Sequence, residues 1–84
     1  MRKRRVGLMG GTFDPIHLGH LLAAERALEA GGLDEVRFMP AFRPPHKAAL
    51  PAAPPEHRRA MVELAIAGND KFRLEPIELA RGGY

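Results

Sequence analysis

Cysteine and tryptophan are absent from this 84-residue chain, and no apolar stretch approaches the length of a membrane span. Without cysteine there are no disulfides and no thiolate ligands for a metal, a composition typical of proteins from a reducing cytoplasm. A bilayer span needs about 20 apolar residues, and no signal-peptide core follows the basic start. We therefore predict a cytoplasmic protein that does not contact a membrane.

The body of the chain has almost no excess of either positive or negative charge. The formal net charge is +3, but residues 2–5 are all basic, and residues 6–84 hold nine basic side chains against ten acidic ones. A nucleic-acid reader carries its basic face within the folded part. The sequence therefore predicts no nucleic-acid partner and indicates that residues 1–5 form a solvated basic leader.

The apolar pattern predicts alternating strands and helices in one small globular domain, which suits the 45% apolar content. Residues 6–9 are a short apolar run ended by glycines, typical of a buried strand. Helical periodicity follows over residues 18–30, with Leu21, Ala24 and Leu28 on one face, and the next two glycines end the helix. Residues 36–39 predict a second strand.

The second half of the chain begins with a proline-rich loop. Residues 40–55 contain six of the eight prolines, which favour extended backbone over helix. The last two prolines suit a helix start, and the spacing predicts that Met61, Leu64, Ala65 and Gly68 form its buried face. Residues 57–59, near the start of this helix, are then expected to face solvent. Residues 72–74 and 77–79 are short strand candidates separated by a proline.

The order β-α-β-loop-α-β predicts an α/β fold, the first half of a Rossmann-like doubly wound parallel sheet whose second half is missing from this chain. In such sheets the first strand is central, so we expect its other edge to be bare and apolar here. That edge could also join copies of the chain into an oligomer. The expected parts of this single incomplete domain, residues 1–84, are the leader 1–5, the β-α-β unit 6–39, the loop 40–55, and the helix with short strands 56–84.

The most informative segment is residues 10–20, which read GGTFDPIHLGH between the first strand and the first helix. A turn that leads from a strand into a helix N-terminus is where α/β proteins hold phosphate, because free N–H groups and the helix dipole meet there. Gly10 and Gly11 would let the backbone approach a ligand and adopt positive φ. His17 and His20, three residues apart, share a face and can donate to phosphate oxygens.

Two histidines at this spacing have other interpretations. Taken alone they are more often structural or surface groups than ligands. A zinc site would need a third ligand such as His46 or His57, but the helix lacks the glutamate of an H-E-x-x-H arrangement and the chain has no cysteine. We therefore predict no protein-held metal.

Several motifs together resemble a known family. Residues 10–20, FMP at 38–40, PPHK at 44–47 and the segment 57–66 are similar to the bacterial nicotinate mononucleotide adenylyltransferases, nucleotidyltransferases with the T/HxGH signature. The resemblance runs from about residue 6 to residue 81. Family members are longer, and their second half carries further nicotinate contacts and a late Ser/Thr-rich signature ending in arginine. The chain is therefore expected to be the N-terminal part of such an enzyme.

The resemblance implies transfer of AMP from ATP to nicotinate mononucleotide, with Mg²⁺ held through the phosphates, and implies that the 84-residue piece is inactive alone. It implies catalytic roles for His17 and His20, and nucleotide or phosphate binding by Gly10, Gly11, Thr12, Phe13, Gly19, His46 and Lys47. Phosphopantetheine adenylyltransferases share the histidines but are not expected to carry the PPHK loop. A non-catalytic nucleotide-binding module and a basic-tailed interaction domain remain alternatives, and the choice between nicotinate and nicotinamide mononucleotide stays open.

Overall fold

The computed structural model describes residues 3–42 and 53–81, which form one sheet and three helices. Most of the predicted proline-rich loop lies outside these residues. No helix in the described part of the chain is both long and apolar enough to cross a bilayer. In chain order the elements are β1 (Val6–Gly11), α1 (Leu18–Gly31), β2 (Glu35–Pro40), α2 (Pro55–Ile66), β3 (Phe72–Leu74) and α3 (Ile77–Arg81).

The three strands run parallel in the order β1-β2-β3. Val6 pairs with Glu35, and Val36 pairs with Phe72. Neighbouring parallel strands need a long crossover connection, and α1 and α2 lie in the two crossovers. This arrangement confirms the predicted α/β class and the parallel half-sheet.

Helix α1 begins at the predicted residue and ends one residue later than predicted. Gly32 follows it with a left-handed φ of 59°, and its N–H donates to the Leu28 carbonyl. A glycine in this position is a common helix end, because it adopts positive φ without a Cβ clash. Ala24 and Leu28 are buried and Leu21 packs against them, which confirms the predicted apolar face.

Helices α1 and α2 pack on the same face of the sheet. The register places Met9, Phe38 and Leu74 side by side on that face, and the Phe38 ring is fully buried. Because Phe13 of the turn before α1 also belongs to this core, the turn is packed onto the sheet. The buried apolar residues are Phe13, Ala24, Leu28, Val36, Phe38, Val62, Ile66 and Phe72.

The predicted buried face of α2 is wrong. Leu64 is 80% exposed, whereas Arg58, Val62 and Ile66 are buried at successive i, i+4 positions. Apolar residues occupy several sides of this helix, so periodicity alone did not fix which side meets the sheet. The first residue of the observed buried face is Arg58, a charged residue whose burial depends on partners outside the helix.

The predicted strand at residues 77–79 is also wrong, because this segment is the short helix α3. The Ala80 N–H donates to the Pro76 carbonyl at 2.8 Å, a helical bond across one turn. Proline lacks a backbone donor and its fixed φ suits the start of a helix. The proline that was expected to divide two strands therefore precedes a helix.

The opposite face of the sheet carries a charge cluster. Glu35 is buried and forms ion pairs with Arg4, with Arg37 at 2.6 Å and with Arg73 at 3.2 Å. The hydrogen bond from Arg37 is the main cause that lowers the pKa of Glu35. Arg4 belongs to the predicted solvated leader, and it remains exposed while its guanidinium pairs with Glu35 of the sheet.

Apolar side chains on the same face remain accessible. Val6 is 41% exposed and Leu8 is 63% exposed. With Met39 and Ile77 they line an open groove of about 440 Å³. In the described residues β1 pairs only with β2, so the first strand has the bare apolar edge that the sequence predicted.

Candidate functional site

The predicted site residues meet where β1 ends and α1 begins. Gly10 and Gly11 are the last residues of β1, the turn follows as residues 12–17, and Gly19 and His20 lie in the first turn of α1. Ligands of open parallel sheets bind beyond the carboxyl ends of the strands, which is where this turn lies. The structure therefore brings together seven of the nine predicted site residues: Gly10, Gly11, Thr12, Phe13, His17, Gly19 and His20.

The positive φ in this turn falls on Phe13, at 53°, and not on Gly10 or Gly11 as the sequence predicted. Strain of roughly 1–3 kcal/mol attends such backbone in a residue with a side chain, so the surroundings must hold it. The Phe13 ring is buried, and the ring of His20 meets it edge-on with centroids 4.9 Å apart. A Cβ on Gly11 would lie 3.3 Å from the Phe13 ring, which gives this glycine a packing role.

The two histidines cap α1 together. His17 is the N-cap residue, and its Nδ1 accepts from the Gly19 N–H at 3.1 Å. The Nδ1 of His20 accepts from the His17 N–H at 3.0 Å, which completes a capping box. Each Nδ1 is thus an acceptor and carries no proton. In a neutral imidazole the proton then lies on Nε2, so each ring offers one N–H donor outside the cap.

Gly19 has a packing role in the cap, and its predicted closeness to a ligand stays a prediction. A Cβ at this position would lie 2.9 Å from Cε1 and 3.0 Å from Nδ1 of His17. Contacts this short are essentially never seen for a real Cβ, so glycine at this position gives space to the capping imidazole. The absence of acidic residues in the first turn of α1 leaves the positive end of the helix dipole without a local counter-charge.

The surroundings of His20 favour its neutral form. Partial burial is the main cause that lowers the pKa of His20 from its ordinary value of 6.5, and the neighbouring His17 lowers it further. The rings lie with centroids 4.0 Å apart. Protonation of Nδ1 would also place an N–H against the His17 N–H donor. The helix cap and the lowered pKa therefore both favour the neutral form of His20.

We predict that the stability contributed by this cap depends on pH. Because the folded-state pKa of His20 is lowered, the contribution is present above the ordinary value and is lost as pH falls through the lowered pKa. Thermal unfolding from about pH 8 down to about pH 5 should show a stability loss that is smaller in His20→Gln, which retains a neutral acceptor. Equal pH dependence in both proteins would contradict the capping role.

A residue that the sequence did not single out for the site lies beneath the turn. Arg58 of α2 is buried, and its Nη1 donates to the Thr12 carbonyl at 2.9 Å. Asp14 Oδ2 accepts from the Ala53 N–H at 3.0 Å, so the turn is also tied to the residue that precedes α2. The sequence predicted that Arg58 faces solvent, which is wrong. Its position in the first turn of α2 gave no signal of these partners.

Two predicted site residues, His46 and Lys47, lie outside the described residues, so their place relative to the turn stays a prediction. Among residues 3–42 and 53–81 no group of three or more histidine, aspartate or glutamate side chains is placed to hold a metal ion. His17 is exposed and His20 is half-buried. The described site is thus an open surface with helix-capping imidazoles.

Several known proteins similar to this chain share one name. A probable nicotinate-nucleotide adenylyltransferase of Symbiobacterium thermophilum is 54% identical over 79 residues, which are 94% of this chain and 38% of that relative. One of Thermus thermophilus is 54% identical over 94% of this chain and 41% of its own length. One of Bacillus pumilus is 51% identical over 95% of this chain and 42% of its own length.

The chain therefore spans about two fifths of the length of the curated relatives it matches. The cytidylyltransferase-like family matches residues 8–82, which include the last four residues of β1, the histidine turn and all the elements that follow. The match covers most of the chain. On this evidence the chain belongs to the cytidylyltransferase-like family.

Proposed function

We propose that the complete protein transfers AMP from ATP to nicotinate mononucleotide, which gives deamido-NAD and pyrophosphate. The observation that carries the proposal is the His17–His20 pair, whose Nε2–H groups are left free by the cap at the N-terminus of α1. The name shared by the similar proteins supports the choice of substrates. The resemblance of the PPHK segment, residues 44–47, supports it as well.

In the proposed reaction the nucleophile belongs to the substrate. A phosphate oxygen of nicotinate mononucleotide attacks the α-phosphorus of ATP, and the bond from that phosphorus to the bridging oxygen of the β-phosphate breaks. The bonding electron pair leaves with pyrophosphate. No protein nucleophile is needed, so the chain has to bind, orient and stabilise charge.

The histidine turn would supply those functions. The Nε2–H groups of His17 and His20 would donate to phosphate oxygens whose charge reorganises during transfer, and the N-terminal end of α1 adds its dipole. Because the cap fixes both rings, little reorganisation is required when substrate binds. Mg²⁺ would arrive as part of the ATP substrate, held by phosphate oxygens, the ligands that this ion prefers.

The proposal is tested by assaying the complete protein with ATP and nicotinate mononucleotide, with deamido-NAD and pyrophosphate measured in parallel. Nicotinamide mononucleotide, phosphopantetheine and CTP serve as alternative substrates. Equal amounts of both products only with the first substrate pair would support the proposal. ATP-dependent product from phosphopantetheine instead would replace it with the sister activity. We propose that the 84-residue chain alone gives no turnover in this assay.

Lys47→Ala in the complete protein should slow turnover by roughly ten- to a hundredfold, through loss of one charge-assisted contact worth about 1.5–3 kcal/mol. The expected contact is with the phosphates of the bound nucleotide. Lys71→Ala, which changes an exposed lysine near β3, is the matched control. Steady-state kinetics and circular dichroism check the prediction. Turnover equal to that of the control would remove Lys47 from the site.

A further inference from the structure

Arg58 is the most deeply buried charged side chain in the described residues, with 1% of its surface exposed. Its guanidinium donates four hydrogen bonds, all to backbone carbonyls. Nη1 donates to Thr12 at 2.9 Å and to Ala41 at 2.6 Å, Nη2 donates to Phe42 at 3.0 Å, and Nε donates to Ala53 at 2.9 Å. A buried guanidinium with this many partners fixes the groups that it contacts.

The four carbonyls come from three separate parts of the chain. Thr12 lies in the histidine turn, Ala41 and Phe42 follow β2, and Ala53 precedes α2. None of the four bonded residues lies within a strand or helix, although the Ala41 N–H also donates to the Gly11 carbonyl of β1 at 2.9 Å. Arg58 reaches all three because it lies in the first turn of α2 and faces the sheet.

The hydrogen bonds of Arg58 and Ala53 connect to the histidine turn at two points. The Ala53 carbonyl accepts from Arg58 while the Ala53 N–H donates to Asp14. Thr12 and Asp14 lie on either side of Phe13, whose strained φ of 53° needs support. The turn is therefore held at both sides of its strained residue, once directly by Arg58 and once through Ala53.

We propose that Arg58 is a positioning residue for the histidine turn. It fixes the Thr12 carbonyl and the Asp14–Ala53 link, and through them the backbone that presents His17 to substrate. This inference rests on the proposed function for its effect on turnover, but not for its effect on the turn itself. Arg58 itself does not touch substrate. It holds the turn through its hydrogen bonds to main-chain carbonyls.

The test compares Arg58→Lys with Arg59→Lys in the complete protein. Lysine keeps the charge but offers a compact ammonium with three donors, which cannot span four carbonyls from three segments. Arg59 is the matched control, because it is exposed and its described partner is Glu63 on the same helix. Both variants preserve the net charge. A difference between them therefore reports the loss of the four Arg58 hydrogen bonds and not a change in the electrostatic field.

Arg58→Lys should lower kcat on the order of a hundredfold, with KM for ATP changed far less, because small misplacements of reacting groups are that costly. Hydrogen exchange at the backbone amides of residues 12–17 should become faster. Exchange in the core of β2 should stay slow. Arg59→Lys should match the unmodified protein in all three measurements.

The outcomes separate this inference from the proposed function. If the unmodified protein makes no deamido-NAD, the proposed function fails, and hydrogen exchange alone decides the role of Arg58. Faster exchange confined to residues 12–17 supports the positioning role. Unchanged exchange there overturns it. Unfolding of Arg58→Lys, or faster exchange throughout β2, overturns it too, because Arg58 would then be a general core residue.

Discussion

Replacement of His20 by alanine should lower kcat by roughly two to three powers of ten, the loss observed when a preorganised donor to a charged transition state is removed. The KM for ATP should rise far less. His20 stands in the first turn of α1, where its Nδ1 is occupied by the His17 N–H at 3.0 Å and its Nε2–H is free. Steady-state kinetics of the complete protein provide the measurement.

Alanine at position 20 removes two things, the donor and half of the capping box, and a second pair of variants separates them. His20→Gln retains an acceptor for the His17 N–H, as glutamine does in ordinary capping boxes, and also carries an amide donor. His20→Asn keeps both kinds of group on a shorter chain. Partial recovery of kcat in either amide variant would support charge stabilisation, because an amide donates a hydrogen bond but does not act as a general base.

If neither amide variant recovers kcat, the result argues against charge stabilisation by His20. If Gln and Asn are as slow as Ala while thermal unfolding shows an intact fold, a proton-transfer role for His20 replaces the proposed one. If only His20→Ala loses the fold, its loss of kcat would instead be assigned to the broken helix cap. The phenylalanine beneath the ring makes this second check necessary, because Phe13 and His20 pack edge to face with centroids 4.9 Å apart.

The sequence predicted the parts of the fold that local chemistry decides. Helix α1 carries its own start and stop signals, and Gly32 ends it with the expected left-handed φ of 59°. Apolar runs bounded by glycine or proline marked β1 and β2 to within two residues at each end. The position proposed for the site follows from the same signals, since the turn from β1 into α1 lies where parallel sheets bind ligands.

What the sequence did not predict depends on partners that are distant along the chain. Arg58 is buried only because carbonyls at residues 12, 41, 42 and 53 converge on it, and no local pattern contains that information. The strained φ of Phe13 likewise depends on a buried pocket for its ring rather than on a glycine. Such residues oppose local preference and are supported by tertiary contacts, as is common near functional sites.

Gly19→Ala should lower turnover with little net change in the free energy of unfolding, because the gain in helix propensity and the loss of one cap hydrogen bond have opposite signs. Alanine is favoured over glycine within a helix by roughly 1 kcal/mol. At this position, however, the new Cβ would lie 2.9 Å from Cε1 and 3.0 Å from Nδ1 of His17. The imidazole must therefore move, and its hydrogen bond from the residue 19 N–H is lost.

We expect kcat to fall on the order of ten- to a hundredfold, because the displaced ring no longer presents its Nε2–H in the capped orientation. Gly31→Ala is the matched control in the same helix, since the atoms nearest its new Cβ belong to the Leu33 side chain, the first of them at 3.3 Å. Unfolding midpoints and kinetics of both variants decide the outcome. Full turnover in Gly19→Ala would show that the capped orientation of His17 is dispensable, and the donor assigned to that ring would have to be sought elsewhere in the turn.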